Sequence, residues 1–261
     1  MAEQLGTQRI LRALVDGRPE WAMVRGGEAF LLPDGPFGSN LLLGRRIGSL
    51  EELRLLAPAV PTKIIGIGRN YVAHAAEHGV EVPVEPLLFL KPPSSVLDPE
   101  GTIVAPALSQ RVEYEGELAL VIGRRCKAVA EPEAWACVLG VTCGIDVTAR
   151  DIQRADPQWT RGKGFDTFCP LGPWITAGLS EAQAAALRLE TRVNGELRQQ
   201  ASTGDMVFSA ARLIAYITQV MTLEPGDVIL TGTPEGVGRL VAGDRIELEI
   251  EGVGVLRNTV E

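Results

Sequence analysis

Histidine is nearly missing from this 261-residue chain, with only two, His74 and His78. The four cysteines, Cys126, Cys137, Cys143 and Cys169, show no C-x-x-C spacing. Together these shortages argue against a zinc site and against a disulfide framework. Positive charge is also short: 25 Lys and Arg face 33 Asp and Glu, a net charge of −8 that argues against a nucleic-acid partner. No apolar run reaches the ~18 residues of a membrane-spanning helix. The start, Met-Ala-Glu-Gln-Leu, carries no charged-then-apolar leader. The expectation is a soluble, cytoplasmic protein with no membrane partner. Lysine is rare as well, limited to Lys63, Lys91, Lys127 and Lys163. In a chain that otherwise uses Arg, a retained Lys suggests a need for a compact ammonium.

What is present is an ordinary globular composition, 46% hydrophobic and 22% charged, with acids in unusual places. Glu115 and Glu117 stand at the mouth of the apolar run Leu118–Ile122. Residues i and i+2 of a strand share a face, so the two carboxylates repel each other and lose hydration unless a cation sits between them. Asp146 ends a second apolar run that begins at Val138. Three carboxylates without His or Cys suit a hard cation, Mg²⁺ or Mn²⁺, with Ca²⁺ also compatible.

Residues 1–60 read as a small β-rich module, and residues 61–261 as the larger domain. Trp21–Arg25, Glu28–Leu32 and the Asp34-Gly-Pro turn predict hairpins. Leu50–Leu56 reads as a short helix or connector, and Ala57-Pro-Ala-Val-Pro61 marks the boundary. Strands are predicted at Lys63–Gly68, Asp227–Thr231 and Asp244–Ile250. A hairpin is predicted at Asn194-Gly195, and helices at Arg150–Arg154 and Ser209–Met221. Ala155–Thr167 reads as a polar loop, and Val80–Pro86 as a proline-broken flap. The fold class is therefore α+β, dominated by β.

Gly66-x-Gly68 lacks the third glycine of a dinucleotide fingerprint. Thr231-Gly-Thr-Pro-Glu-Gly-Val-Gly238 lacks the Gly-Lys-Ser/Thr of a nucleotide P-loop, though its N–H groups suit a carboxylate. His74 and Glu77 are neighbours at i and i+3 on a helix, so Glu77 can orient the imidazole and raise its basicity. His78 at i+4 is the substitute. Lys163 suits stabilisation of a developing enolate, with Asp166 holding it or a metal-bound water. Arg150 and Asp151 read as a structural ion pair.

Several segments in order, Gly68–Glu77, Phe89-Leu-Lys-Pro-Pro-Ser-Ser95, Tyr114–Ala119, Asp146–Asp151, Lys163–Pro173, Asp205–Phe208 and Thr231–Gly238, resemble the fumarylacetoacetate hydrolase family. Within it, the chain is similar to bacterial and archaeal 2-hydroxyhepta-2,4-diene-1,7-dioate isomerase-like members. The resemblance implies a mixed β-roll with outer helices and a homodimer. It implies a metal-dependent enzyme acting on 2-oxo or 2-hydroxy-dienoic acids of aromatic-compound catabolism through a metal-stabilised enolate. Glu115, Glu117 and Asp146 would hold the metal, and His74, Glu77 and Lys163 would be catalytic. Arg69, Tyr71, Lys91, Gln199 and Thr233 would bind the oxo acid, and closure of residues 71–86 would bring His74 to the metal. Isomerisation and C–C bond hydrolysis of an acylpyruvate both fit this core. Oxaloacetate decarboxylation or tautomerisation is the alternative, and a non-enzymatic diacid- or metal-binding role is disfavoured.

Overall fold

The computed structural model describes residues 6–38, 41–77 and 79–261. His78, the substitute base, lies outside the described residues. The fold is the expected α+β, dominated by strands. Its largest sheet runs in the order Arg46–Ser49, Glu28–Leu31, Arg18–Arg25, Gln8–Val15, Cys169–Ala177, Val138–Ile145, Gly116–Ile122, Val228–Leu230, Ile64–Gly68, Leu87–Lys91. Most pairings along it are antiparallel, but Val228–Leu230 runs parallel to Ile64–Gly68. A second sheet contains Glu196–Ser202, Arg188–Val193, Arg245–Ile250, Gly254–Val260 and Thr102–Ile103.

Gly116–Ile122 explains the sheet's central position. All of its residues are buried. Leu118, Leu120 and Ile122 enter one apolar cluster while Ala119 and Val121 enter another. An apolar strand without polar alternation must have protein on both faces. Each large side chain so buried contributes about 1.5–3 kcal/mol.

The predicted N-terminal hairpin forms, with Ala22 opposite Leu31. The Gln8–Val15 strand, which was not anticipated, pairs with Cys169–Ala177 in the register Gln8 to Ala177, so this strand extends the central sheet. Arg188–Val193 and Glu196–Ser202 turn through Asn194 and Gly195 at φ 52° and 81°, the left-handed pair a two-residue hairpin requires. The Ala210–Val220 helix buries Leu213, Ile214 and Ile217, and the Ser209 hydroxyl caps it by accepting the Arg212 N–H at 3.2 Å.

One expectation is corrected. The segment 155–167 is not all loop: Thr160–Lys163 is a helical turn, closed by the Lys163 N–H bonding Trp159 O at 2.9 Å. Among the described residues, no helix is long and apolar enough to cross a membrane.

Candidate metal centre and active site

Two antiparallel neighbours set the acids side by side. Gly116 faces Ile145 and Glu117 faces Gly144, so Glu115 and Asp146 sit at the adjoining strand ends. The Asp146 N–H donates to Glu115 O at 2.8 Å. One carboxylate oxygen from each of Glu115, Glu117 and Asp146 lies within 4.8 Å of the others, and all three residues are buried. The residue between the glutamates must be glycine. A Cβ on Gly116 would stand 2.2 Å from Thr191 Oγ1 and 3.1 Å from Gln199 Oε1.

Cations surround most of this charge. Lys163 Nζ bonds Glu115 Oε2 at 2.6 Å and also Asp146 Oδ2. Lys91 Nζ bonds Asp146 Oδ1 at 2.6 Å. Arg150 spans Glu113 Oε2 at 2.6 Å and Glu115 Oε1. Among the described residues, Glu117 has no such partner and accepts only the neutral Gly232 N–H, at 2.6 Å. The pKa values follow. Burial pushes Glu115 up, but Lys163 and Arg150 outweigh it and hold that carboxyl well below its ordinary value. Burial, then Asp146 and Glu115, push Glu117 well above its ordinary value. Burial works against the charged Lys163 ammonium, but Asp146 and Glu115 raise its pKa. Glu113 is shared by Arg150 and Arg111, so among the described residues Glu117 is the acid of the triad that no cation of the chain bonds. A divalent cation on the oxygen triad fits that shortfall, and the all-oxygen donor set suits Mg²⁺, Mn²⁺ or Ca²⁺.

The Gly-rich loop is stitched to the same strand. Thr231 Oγ1 donates to Leu118 O at 2.8 Å and Thr233 Oγ1 to Gly116 O at 2.9 Å. Gln199 braces both sides. Its oxygen accepts the Gly116 N–H at 3.0 Å, and its amide donates to Thr233 Oγ1 at 2.8 Å and Pro234 O at 3.0 Å. Asn70 ties the turn before the active-site helix to the loop by donating to Thr231 O at 2.8 Å.

A cavity of about 440 Å³ opens over the acids, lined among others by Arg69, His74, Glu115, Glu117, Lys163 and Thr233. His74 rides on a short helix, Val72–Glu77, with its Nδ1 3.6 Å from Glu77 Oε2. Glu77 also accepts the Gly236 N–H at 3.3 Å.

Tyr71, Lys91 and Gln199, expected around the substrate, do not line this cavity. Lys91 is spent on Asp146 and on Val147 O at 3.2 Å. Tyr71 is buried in a bridge to Met206, and burial and then Glu117 push its phenol up. Asp166 is exposed and does not hold Lys163, whose ammonium turns to Glu115 and Asp146. Arg150 pairs with Glu113 and Glu115 rather than with Asp151, which accepts from Ser109 Oγ at 2.6 Å and the Gln110 N–H at 2.8 Å.

Sequence reasoning missed Glu113, Gln153, Arg154 and Trp159. Gln153 accepts from Arg150 Nη1 at 2.7 Å, and Gln153, Arg154 and Trp159 line the cavity. Positions 153 and 154, one helical turn past Arg150 on the predicted Arg150–Arg154 helix, were the available signal for Gln153 and Arg154.

A buried acidic triad at the ends of neighbouring strands, under a His-bearing helix, defines a class of oxygen-liganded metal sites built for acid–base chemistry. The family description "Fumarylacetoacetate (FAA) hydrolase C-terminal" matches residues 63–261, and the chain belongs to that family of enzymes. It is 46% identical over 220 residues to a human mitochondrial oxaloacetate tautomerase, covering 80% of this chain and 70% of that protein. The crystal structure of 2-hydroxyhepta-2,4-diene-1,7-dioate isomerase from Mycobacterium marinum is similar at a TM-score of 0.88 and 41% identity, over 97% of this chain and 98% of that one. Fumarylpyruvate hydrolase from Pseudomonas aeruginosa, solved in complex with Mn²⁺ and pyruvate, is similar at a TM-score of 0.71 and 32% identity, over 79% and 91%. The strand-dominated architecture is that of this family.

Proposed function

We propose that this chain is a divalent-cation-dependent tautomerase or isomerase that moves a proton beside the 2-oxo group of a dicarboxylic oxo acid. The observation that carries the reading is the meeting of the acidic triad, the His74–Glu77 pair and Lys163 around one cavity. Glu115, Glu117 and Asp146 would hold the cation, Mg²⁺ or Mn²⁺. When bound, it supplies a Lewis acid for the carboxylate and 2-oxo oxygen of the substrate.

The chain's own groups do the rest. His74 takes the proton from the carbon next to the 2-oxo group and delivers it to the atom that becomes protonated in the tautomer. Glu77, on the same helical turn, favours the imidazolium formed in between. Lys163 keeps a positive charge beside the oxygen where negative charge grows. Arg69 and Arg154 line the cavity and suit the substrate's far carboxylate. Ile67, Val80, Phe89 and Trp159 keep water off the reacting carbon.

C–C hydrolysis of an acylpyruvate is the second reading, favoured by the same His–Glu pair, which suits the activation of water. The test is a panel of oxaloacetate, 2-hydroxyhepta-2,4-diene-1,7-dioate, fumarylpyruvate and simple acylpyruvates with Mg²⁺ or Mn²⁺. Keto–enol interconversion or isomerisation without pyruvate release supports the first reading. Pyruvate release from the acylpyruvates selects the second, and no turnover of any of them overturns both. The reading includes a homodimer, which a 28.0 kDa particle in light scattering would contradict.

A further inference from the structure

Gly66 and Gly68 lack the dinucleotide fingerprint, yet neither can be replaced without collision. They stand at i and i+2 on the Ile64–Gly68 strand and share one face. Phe89 is the register partner of Gly66, and its ring covers the place a side chain would take, with ring atoms 2.1–2.7 Å from a Gly66 Cβ. A Cβ on Gly68 would stand 2.7 Å from Trp159 Cζ3 and 3.1 Å from Leu87 Cδ2. The two rings meet edge to face with centroids 5.5 Å apart. Lys163 Nζ lies 4.9 Å from the centre of the Phe89 ring. Gly68, Phe89 and Trp159 line the same cavity as Glu115 and Glu117.

The geometry points to Trp159 as a specificity-determining residue. Seated on Gly68 and braced by Phe89, its indole walls the cavity next to Lys163 and limits the acyl end of the substrate to a slender, unbranched chain. This inference rests on the reading that a 2-oxo acid binds in this cavity. On its Gly68 side the ring is backed by strand backbone and by a second ring, so the aromatic pair sets the width beside Lys163. The two glycines are what bring that pair against the strand. An oxo acid of oxaloacetate's width passes such a wall, and an aryl-substituted acid meets it.

The test uses the Mn²⁺-loaded protein and two unreactive probes: oxalate, which mimics the 2-oxo acid end, and N-phenyloxamate, which adds an aryl group. Calorimetry reads the ratio of the two dissociation constants. Trp159→Leu should shift that ratio about tenfold or more in favour of N-phenyloxamate, the scale on which pocket size discriminates. Gly68→Ala drives a methyl group into the indole and should shift the ratio the other way. Adding Trp159→Leu to Gly68→Ala should restore the Trp159→Leu ratio. If Trp159→Leu does not fold, Trp159→Phe carries the same expectation at smaller size. A ratio within about twofold of the unaltered protein in both the Trp159 and the Gly68 variants overturns the inference. Failure of the unaltered, Mn²⁺-loaded protein to bind oxalate would instead overturn the functional reading on which it rests.

Discussion

At Asp227 a single buried carboxylate collects five donors: the Thr62 N–H at 2.9 Å, Thr62 Oγ1 at 2.7 Å, the Lys63 N–H at 3.1 Å, the Lys63 ammonium, and the Glu224 N–H at 2.8 Å. Across the sheet, Glu115, Glu117 and Asp146 are also buried, but among the described residues the cations bond Glu115 and Asp146 while Glu117 has one neutral N–H. Burial pushes Asp227 up, yet its hydrogen bonds from Glu224, Lys63 and Thr62 hold it below its ordinary value. Burial and its acidic neighbours push Glu117 the other way. A buried acid whose oxygens are filled by its own chain is a fastener. A buried group of acids that the chain underfills calls for a cation from outside.

The strongest test of this contrast is to remove the acid from each place. Glu117→Gln keeps shape and the Gly232 acceptor. It should cost turnover on the order of 10³-fold through weakened cation binding, read by steady-state assay and titration calorimetry. The same change should raise the melting temperature of the metal-free protein, because it relieves repulsion. A metal-free variant that melts lower than the unaltered protein would break the contrast. Chelation of the unaltered enzyme should abolish turnover, and Mg²⁺ or Mn²⁺ should restore it.

His74→Ala should lose about 10²–10⁴ in turnover while leaving oxalate and cation affinity in place. Glu77→Gln should lose less and displace the pH profile, since it keeps the shape and removes the charge. An unchanged rate in His74→Ala would take this pair out of the mechanism.

Asp227→Asn should do the reverse of Glu117→Gln: about 1–3 kcal/mol of stability lost, measured by urea unfolding, with activity per folded molecule kept. The folded carboxyl lies below its ordinary value, so its contribution is fully present above about pH 4 and lost as pH falls through the lower folded value. The stability gap between the unaltered protein and the variant should therefore be full at pH 7 and shrink below about pH 4. A gap that does not close in acid would mean that shape rather than charge is at work. The smallest effect belongs to Gln199→Ala, at about 1 kcal/mol, because the amide braces backbone and touches no cavity.

The parts of the site legible in the sequence are those set by local period. Glu115 and Glu117 follow from strand alternation, His74 and Glu77 from the helical turn, and Asp146 from the end of an apolar run. What was not legible depends on partners far away in the chain. Lys91 and Gln199 read as substrate ligands because they sit in or near motifs, but their atoms are taken by Asp146, Gly116 and Thr233. Lys163 read as a loop residue because its helical turn is a single one, too short to show a period. The Gln8–Val15 strand escaped notice because its reason, pairing with Cys169–Ala177, lies more than 150 positions on. Tertiary pairing of this kind is what single-sequence periodicity cannot report.

The brevity of the Val72–Glu77 helix has a consequence for timing. Because the imidazole and its carboxylate share one turn, any swing of that turn away from the strand ends carries both as one passenger. On the proposed reading, the base would keep its partner whether the cavity were open to solvent or shut. Exchange of product for substrate would then need no fresh assembly of the pair, and the Glu77 bond to the Gly236 N–H is one of the ties that such a swing would part. A weak bond of that kind, 3.3 Å long and near the surface, is one a turnover cycle can break many times a second.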